Sequence, residues 1–266
     1  MTGVQTCALP ILLLVVQLAF EDRGEGSAVV FLHGITVSKR TWNPIVSRME
    51  HDHRCISVDL PGHGESPDGP YGAVEMAAAV HNIVEELGLA PVLLVGHSLG
   101  GMTATIYAAV HGALGVVNID QPLHLGSVVE MMGSDLTRFR DERFDEAFAE
   151  FANQLRIDLI PEPRRTELLA EVKPRRDVVV ALWADLLDGN ADAMQPLLDG
   201  ALAAITCPYL AIYGSEPSAP SRAAVGLIPH SALEVWDGLG HLLHLVDPDR
   251  FVRRLNTFES SIAHNH

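Results

Sequence analysis

Hydrophobic positions along the 266-residue chain follow two alternating patterns. Short, largely apolar runs occur at 28–32, 55–58, 92–95, 116–119, 208–213 and 232–236. Such runs, bounded by Gly, Pro, Asp or Asn, read as strands buried on both faces of a parallel sheet. Between them, apolar residues recur at helical spacing: Trp42, Ile45, Val46 and Met49; then Ala77, Val80, Val84 and Leu87, stopped by Gly88. A short helix over 220–227 is expected, and a closing helix begins with Asp247 as cap and Pro248 as first residue. Residues 12–16 and 17–20 read as two leading strands, followed by a polar turn over 21–26. Strands alternating with helices predict an α/β chain: a mostly parallel, doubly wound sheet.

The pattern changes over 123–202. Strand signals vanish, and Phe144, Phe148, Phe151 and Leu155 recur at helical spacing. Further short helices are expected around Leu168 and over 179–187, punctuated by Pro161, Pro163 and Pro174. This stretch reads as an inserted helical cap, with residues 12–122 and 203–260 forming one discontinuous core. Its 16 acidic and 9 basic residues describe a solvated outer face.

Composition narrows the picture. A hydrophobic fraction of 48% with 20% charged residues fits a packed globular protein. The net charge of −16 opposes both a nucleic-acid partner and docking on an anionic membrane. Three cysteines (Cys7, Cys55, Cys207) lack CxxC spacing, so neither a disulfide framework nor a zinc site is expected. The 8–16 segment is too short to span a bilayer and has no basic residues before it. A cytoplasmic location and no membrane insertion are therefore expected. Residues 1–11 resemble translated sequencing-adapter read-through and are expected to be a non-native segment.

The chemistry gathers on Gly96-His97-Ser98-Leu99-Gly100. A strand runs into this Gly-x-Ser-x-Gly sequence and a small-residue helix leaves it. That context exposes a serine hydroxyl on a sharp turn at the strand's C-terminal end. A serine needs a base, and the base needs an orienting group. Among thirteen histidines, His241 follows the last strand behind the glycine-rich turn 237–240, where it can reach the same sheet edge. His244, one helical turn on, is the lesser candidate. His33, His63 and His97 sit in tight turns and are expected to make structural hydrogen bonds. His51, His53, His81, His111, His124 and His230 read as surface or packing residues.

These pieces together resemble an α/β-hydrolase-fold serine enzyme over residues 12–258. The resemblance rests on His33-Gly34 with Trp42, the loop Asp59-Leu60-Pro61-Gly62-His63-Gly64-Glu65-Ser66, the Ser98 motif, and Gly240-His241 with His244, Pro248 and Phe251. It implies Ser98 as nucleophile, His241 as base, and the backbone N–H groups of Ile35 and Leu99 as oxyanion hole. It implies no cofactor and no metal. The acid departs from the commonest pattern, because Pro217 occupies the position where Gly-x-x-Asp would place it. Glu216 is one residue short of that position. The alternative is Asp120 at the end of the 116–119 strand, in Asn118-Ile119-Asp120-Gln121-Pro122, which resembles the Asp-x-x-Pro signature of some family esterases. The reaction implied is hydrolysis of a carboxylic ester, thioester or lactone of a small, largely apolar molecule. Met131, Met132, Phe139 and Trp183 of the cap are the apolar candidates for its pocket. Cofactor-free haloperoxidase, carbon–carbon bond hydrolase and non-catalytic ligand receptor are the alternatives.

Overall fold

The computed structural model describes residues 17–89 and 91–263; the expected strand at 12–16 lies outside them. The elements run β1 (Phe20–Arg23), β2 (Ser27–Leu32), α1 (Asn43–Met49), β3 (His53–Val58), α2 (Ala73–Glu86), β4 (Leu93–His97), α3 (Leu99–His111) and β5 (Gly115–Ile119). Then come α4 (Leu125–Met132), α5 (Phe144–Gln154), α6 (Arg164–Glu171), α7 (Arg176–Leu182), α8 (Ala184–Leu187) and α9 (Ala191–Ala203). The chain closes with β6 (Tyr209–Tyr213), α10 (Ala219–Val225), β7 (Ser231–Val235), α11 (Leu243–Val246) and α12 (Pro248–Ala263). The seven strands form one sheet in the order β1-β3-β2-β4-β5-β6-β7. All neighbours are parallel except β1 with β3.

Successive residues of a strand point to opposite faces, so a strand covered on both faces needs apolar residues at every position. In β2, Val30 and Leu32 pack on one face while Val29 and Phe31 pack on the other. In β6, Tyr209, Ala211 and Tyr213 alternate with Leu210 and Ile212 in the same way. Helices α2, α3 and α10 cover the first face, and α1 and α12 cover the second. Asp247 caps α12 by accepting from the Arg250 amide at 3.0 Å.

The leading segment differs from expectation. Of residues 17–20 only Phe20 is in a strand, and Glu21 to Arg23, expected in a turn, continue that strand. Its charged residues suit an edge: Asp22 receives a bidentate contact from Arg54 of β3 at 2.6–3.1 Å.

Between β5 and β6 the described chain forms only helices. Phe139, Phe144, Phe148, Phe151, Val179 and Trp183 build a separate apolar cluster, on which Ile35 rests. Leu168 and Ile160 meet Val37, Leu242 and Leu245 in another, so the helical segment is packed onto the sheet's C-terminal edge. Among the described residues, no helix is long and apolar enough to cross a membrane.

Candidate active site

The β4–α3 junction sets the geometry. A Cβ on Gly96 would lie 2.1 Å from the Gly100 carbonyl oxygen, and one on Gly100 would lie 2.1 Å from that of Leu32. Glycine at these positions lets α3 leave the strand so tightly that Ser98 adopts φ 52°, ψ −122°. This is a strained backbone for a residue with a side chain. The Ser98 amide donates to Ile119 at 3.0 Å, which fixes the junction to β5.

Asp120 follows β5, also with a positive φ, 53°. Asn118 clamps the turn: its amide donates to the Gln121 carbonyl at 3.0 Å and its oxygen accepts from the Gln121 N–H at 3.2 Å. The Asp120 N–H donates to Ile212 at 2.8 Å. One Asp120 oxygen accepts from the Gly214 amide at 2.8 Å, and the other accepts from His241 Nδ1 at 2.7 Å. The carboxylate therefore fixes the ring's tautomer, leaving Nε2 as the acceptor. Glu216 instead pairs with Arg222 at the surface.

His241 reaches this position on the loop after β7, held by a bond from its neighbour in space. His97 Nε2 donates to the His241 carbonyl at 3.0 Å. His97 and His244 are both buried, and burial drives both below the ordinary histidine range, His244 to about 3. Neither His244 nitrogen has a partner among the described residues, and its ring packs 4.9 Å from Trp42. Its ring is buried in packing against Trp42 and Phe251. His33 donates from Nδ1 to the Gly34 carbonyl at 2.7 Å and accepts the Leu60 amide on Nε2 at 3.0 Å. His63 donates to Pro61 at 2.9 Å. Both bonds shape loops.

Of the histidines expected at the surface or in packing, His53 is tied to Glu259 at 2.6 Å, and His81 stacks on His111. His124 caps α4. Both described cysteines are buried and free, their thiols pushed by burial to about 12 (Cys55) and about 11 (Cys207). Among the described residues, no group of three or more His, Cys, Asp or Glu side chains could hold a metal.

The segment after β2 bends over Ser98, and Thr36 within it has φ 65°. The amides of Ile35 and Leu99 make no hydrogen bond to another described residue. Behind this segment lies a charge cluster that the sequence reading passed over. Lys39 is buried, and its Nζ meets Asp59 at 2.8 Å and Glu65 at 2.6 Å. Burial works to raise the Asp59 pKa, but the amides of Glu65 and Lys39 and the Lys39 ammonium hold it below the usual carboxylate range. Asp59 and Glu65 stand in the loop noted above, and Lys39, three residues before Trp42, is the member that carries no pattern of its own.

Two cavities meet at His241. The first, of about 40 Å³, holds Ser98 and Ile35 and is walled by Phe148, Leu155, Leu168 and Val172. The second, of about 620 Å³, holds Asp120 and Tyr213, with Ser127, Glu130, Arg156 and Asp237 among its walls. Of the four apolar candidates from the helical segment, Met131 lines one of these two cavities and the other three line neither. Met132, Phe139 and Trp183 are spent on the segment's own core.

The model of the alpha/beta hydrolase family matches residues 29–254. A non-heme haloperoxidase from Rhodococcus erythropolis is 28% identical over 92% of this chain and 96% of its own. A pimeloyl-[acyl-carrier protein] methyl ester esterase from Yersinia pseudotuberculosis is 27% identical over 91% and 97%. The solved esterase from Exiguobacterium antarcticum superposes with a TM-score of 0.74 at 22% identity, covering 91% of this chain and 95% of its own. That last likeness speaks to the fold alone.

Proposed function

The chain belongs to the alpha/beta hydrolase family, and from that premise we propose that it is a serine hydrolase cleaving carboxylic esters through an acyl-enzyme. The observation that carries the reading is the His241–Asp120 bond of 2.7 Å, with the His241 ring and Ser98 lining one cavity. In the proposed mechanism Ser98 Oγ attacks the ester carbonyl carbon as His241 Nε2 takes its proton. The oxyanion is received by the amides of Ile35 and Leu99. Collapse breaks the acyl–oxygen bond, and His241 returns the proton to the departing alkoxide, releasing alcohol. Water then attacks the acyl-enzyme, giving its proton to His241, and the acid leaves as Ser98 regains its hydrogen. Asp120 holds the ring and offsets the imidazolium charge in both halves.

Residues 123–202 are proposed to form a cap over a discontinuous core of 12–122 and 203–260, with a small-molecule substrate bound between them. A second reading, cofactor-free haloperoxidase chemistry on the same residues, is favoured by the Rhodococcus erythropolis relative. The test is turnover of p-nitrophenyl acetate and labelling by a fluorophosphonate, in wild type and Ser98→Ala. Both signals are expected in wild type and absent in the variant; folded wild-type protein with neither overturns the proposal. Bromination of monochlorodimedone with peroxide that exceeds ester hydrolysis would favour the second reading.

A further inference from the structure

The segment 33–39, which carries the Ile35 amide past Ser98, is held at both ends and in its middle. At its ends, His33 Nε2 accepts the Leu60 amide at 3.0 Å, and the Lys39 amide donates to Asp59 at 2.7 Å. Its middle is strained. Thr36 is β-branched and sits at φ 65°, a backbone that persists only where the surroundings hold it. The hold comes from the far end of α6. The Lys173 N–H donates to the Thr36 carbonyl at 2.8 Å, and the Ser38 hydroxyl donates to Glu171 Oε2 at 2.8 Å. Between these two bonds, Val172 packs against the cluster of Val37 and lines the cavity that holds Ser98 and Ile35. Three consecutive residues of the helical segment, beginning 133 positions on from Ser38, thus grip the stretch that presents the amide.

A donor stabilises a developing oxyanion only when it is already aimed at it. Ile35 lies one residue before Thr36, so the aim of its amide depends on the Thr36 peptide staying where the grip pins it. We propose that Ser38 and Glu171 are positioning residues for the Ile35 amide, through which the helical segment acts on the rate of the chemical step; the inference rests on the Ser98 hydrolase reading. Lys173 gives a main-chain hydrogen that a side-chain change leaves in place. The Ser38–Glu171 bond rests on side chains and can be removed. The other Glu171 oxygen lies 3.6 Å from Arg40 Nη1, a surface ion pair of little energetic weight.

Hydrolysis of p-nitrophenyl acetate should be followed for kcat and KM in wild type, Ser98→Ala, Ser38→Ala, Glu171→Ala, Glu171→Gln, Arg40→Ala and the Ser38→Ala, Glu171→Ala double variant. Losing an oxyanion donor outright costs about 10²–10³ in kcat, so loosening one should cost about tenfold. Each single alanine variant at Ser38 and Glu171 is expected to show that loss with KM within about twofold. The double variant should lose no more than Ser38→Ala alone, because both changes remove one bond. Glutamine at 171 keeps an acceptor oxygen and should restore most of kcat; Arg40→Ala should stay within about twofold of wild type. Inhibition by trifluoroacetone gives a second readout. Ser98 Oγ bonds to its carbonyl carbon, the proton passes to His241, and the carbonyl electron pair moves onto an oxygen facing the Ile35 amide. Its inhibition constant should therefore weaken about tenfold in step with kcat. A loss confined to KM, additive losses, no rescue by glutamine, or an unmoved inhibition constant would overturn the positioning role while leaving Ser98 chemistry intact. Folded wild-type protein without Ser98-dependent turnover would overturn the hydrolase reading and this inference with it.

Discussion

His97, the residue before Ser98, donates its Nε2 hydrogen to the carbonyl oxygen of His241 at 3.0 Å. One short segment of β4 thus presents the serine and also anchors the loop that carries the histidine facing it. Registry between two groups 143 residues apart in sequence rests on the last residue of β4 and the residue that follows it.

This relationship makes His97 a positioning residue. His97→Leu removes the donor and should lower kcat by about a hundredfold, the loss expected of a misplacement near 1 Å, with KM little changed. His97→Gln keeps an N–H of similar reach and should restore most of kcat. A change confined to KM, or no rescue by glutamine, would show that the bond does not set the position of His241.

For the acid, Asp120→Asn should cost about 10³–10⁴ in kcat, because the amide favours the wrong ring tautomer. Glu216→Gln should change kcat by less than about twofold, since that carboxylate pairs with Arg222. Steady-state rates on p-nitrophenyl acetate read both. The opposite ranking would move the role to Glu216.

The glycines of the turn differ sharply from other glycines. Gly100→Ala sets a Cβ 2.1 Å from the Leu32 carbonyl oxygen and 2.8 Å from that of His33, both backbone; loss of soluble folded protein is expected. Gly200→Ala, inside α9 with nothing within 4 Å, should stabilise by about 0.5–1 kcal/mol. Urea denaturation of both variants tests the contrast.

Acid sensitivity follows from the buried imidazoles. Burial lowers His33 and His244 to about 3 and His97 well below its usual range. Below about pH 6.5 the unfolded chain binds protons that the native state refuses, so stability falls as pH falls from there towards 3. Each ring contributes a slope of about 1.4 kcal/mol per pH unit. His244→Leu removes one of these rings and should flatten the decline in urea midpoint between pH 6.5 and 5. An unchanged slope would mean that His244 takes up protons in the native state.

Much of this was legible in the sequence where burial enforces a pattern. The runs in β2, β4 and β5 are apolar because both faces are covered, and Gly96-x-Ser98-x-Gly100 is glycine-bound because helix and strand nearly touch. β1 was misread because an edge strand faces water, and Glu21-Asp22-Arg23 there looks like a turn. Helix α9 carries Pro196 and Gly200, which obscured its extent. The cap residues lining each cavity were illegible for a different reason. Phe148 lines the small cavity while Trp183, in the same apolar cluster, does not, and that difference is set by tertiary packing, not by hydrophobicity.

The bond from the Gly214 amide to Asp120 carries an evolutionary consequence. The loop after β6 gives only a main-chain hydrogen, which a side-chain change at Ser215, Glu216 or Pro217 leaves in place. Gly214 itself is pinned, since a Cβ there would lie 1.8 Å from the Gly240 oxygen. With the carboxylate bonded to His241 carried by Asp120, just after β5, the side chains just beyond Gly214 are not tied to that bond. This stretch of the rim is therefore where a sequence can change without moving the histidine and its carboxylate.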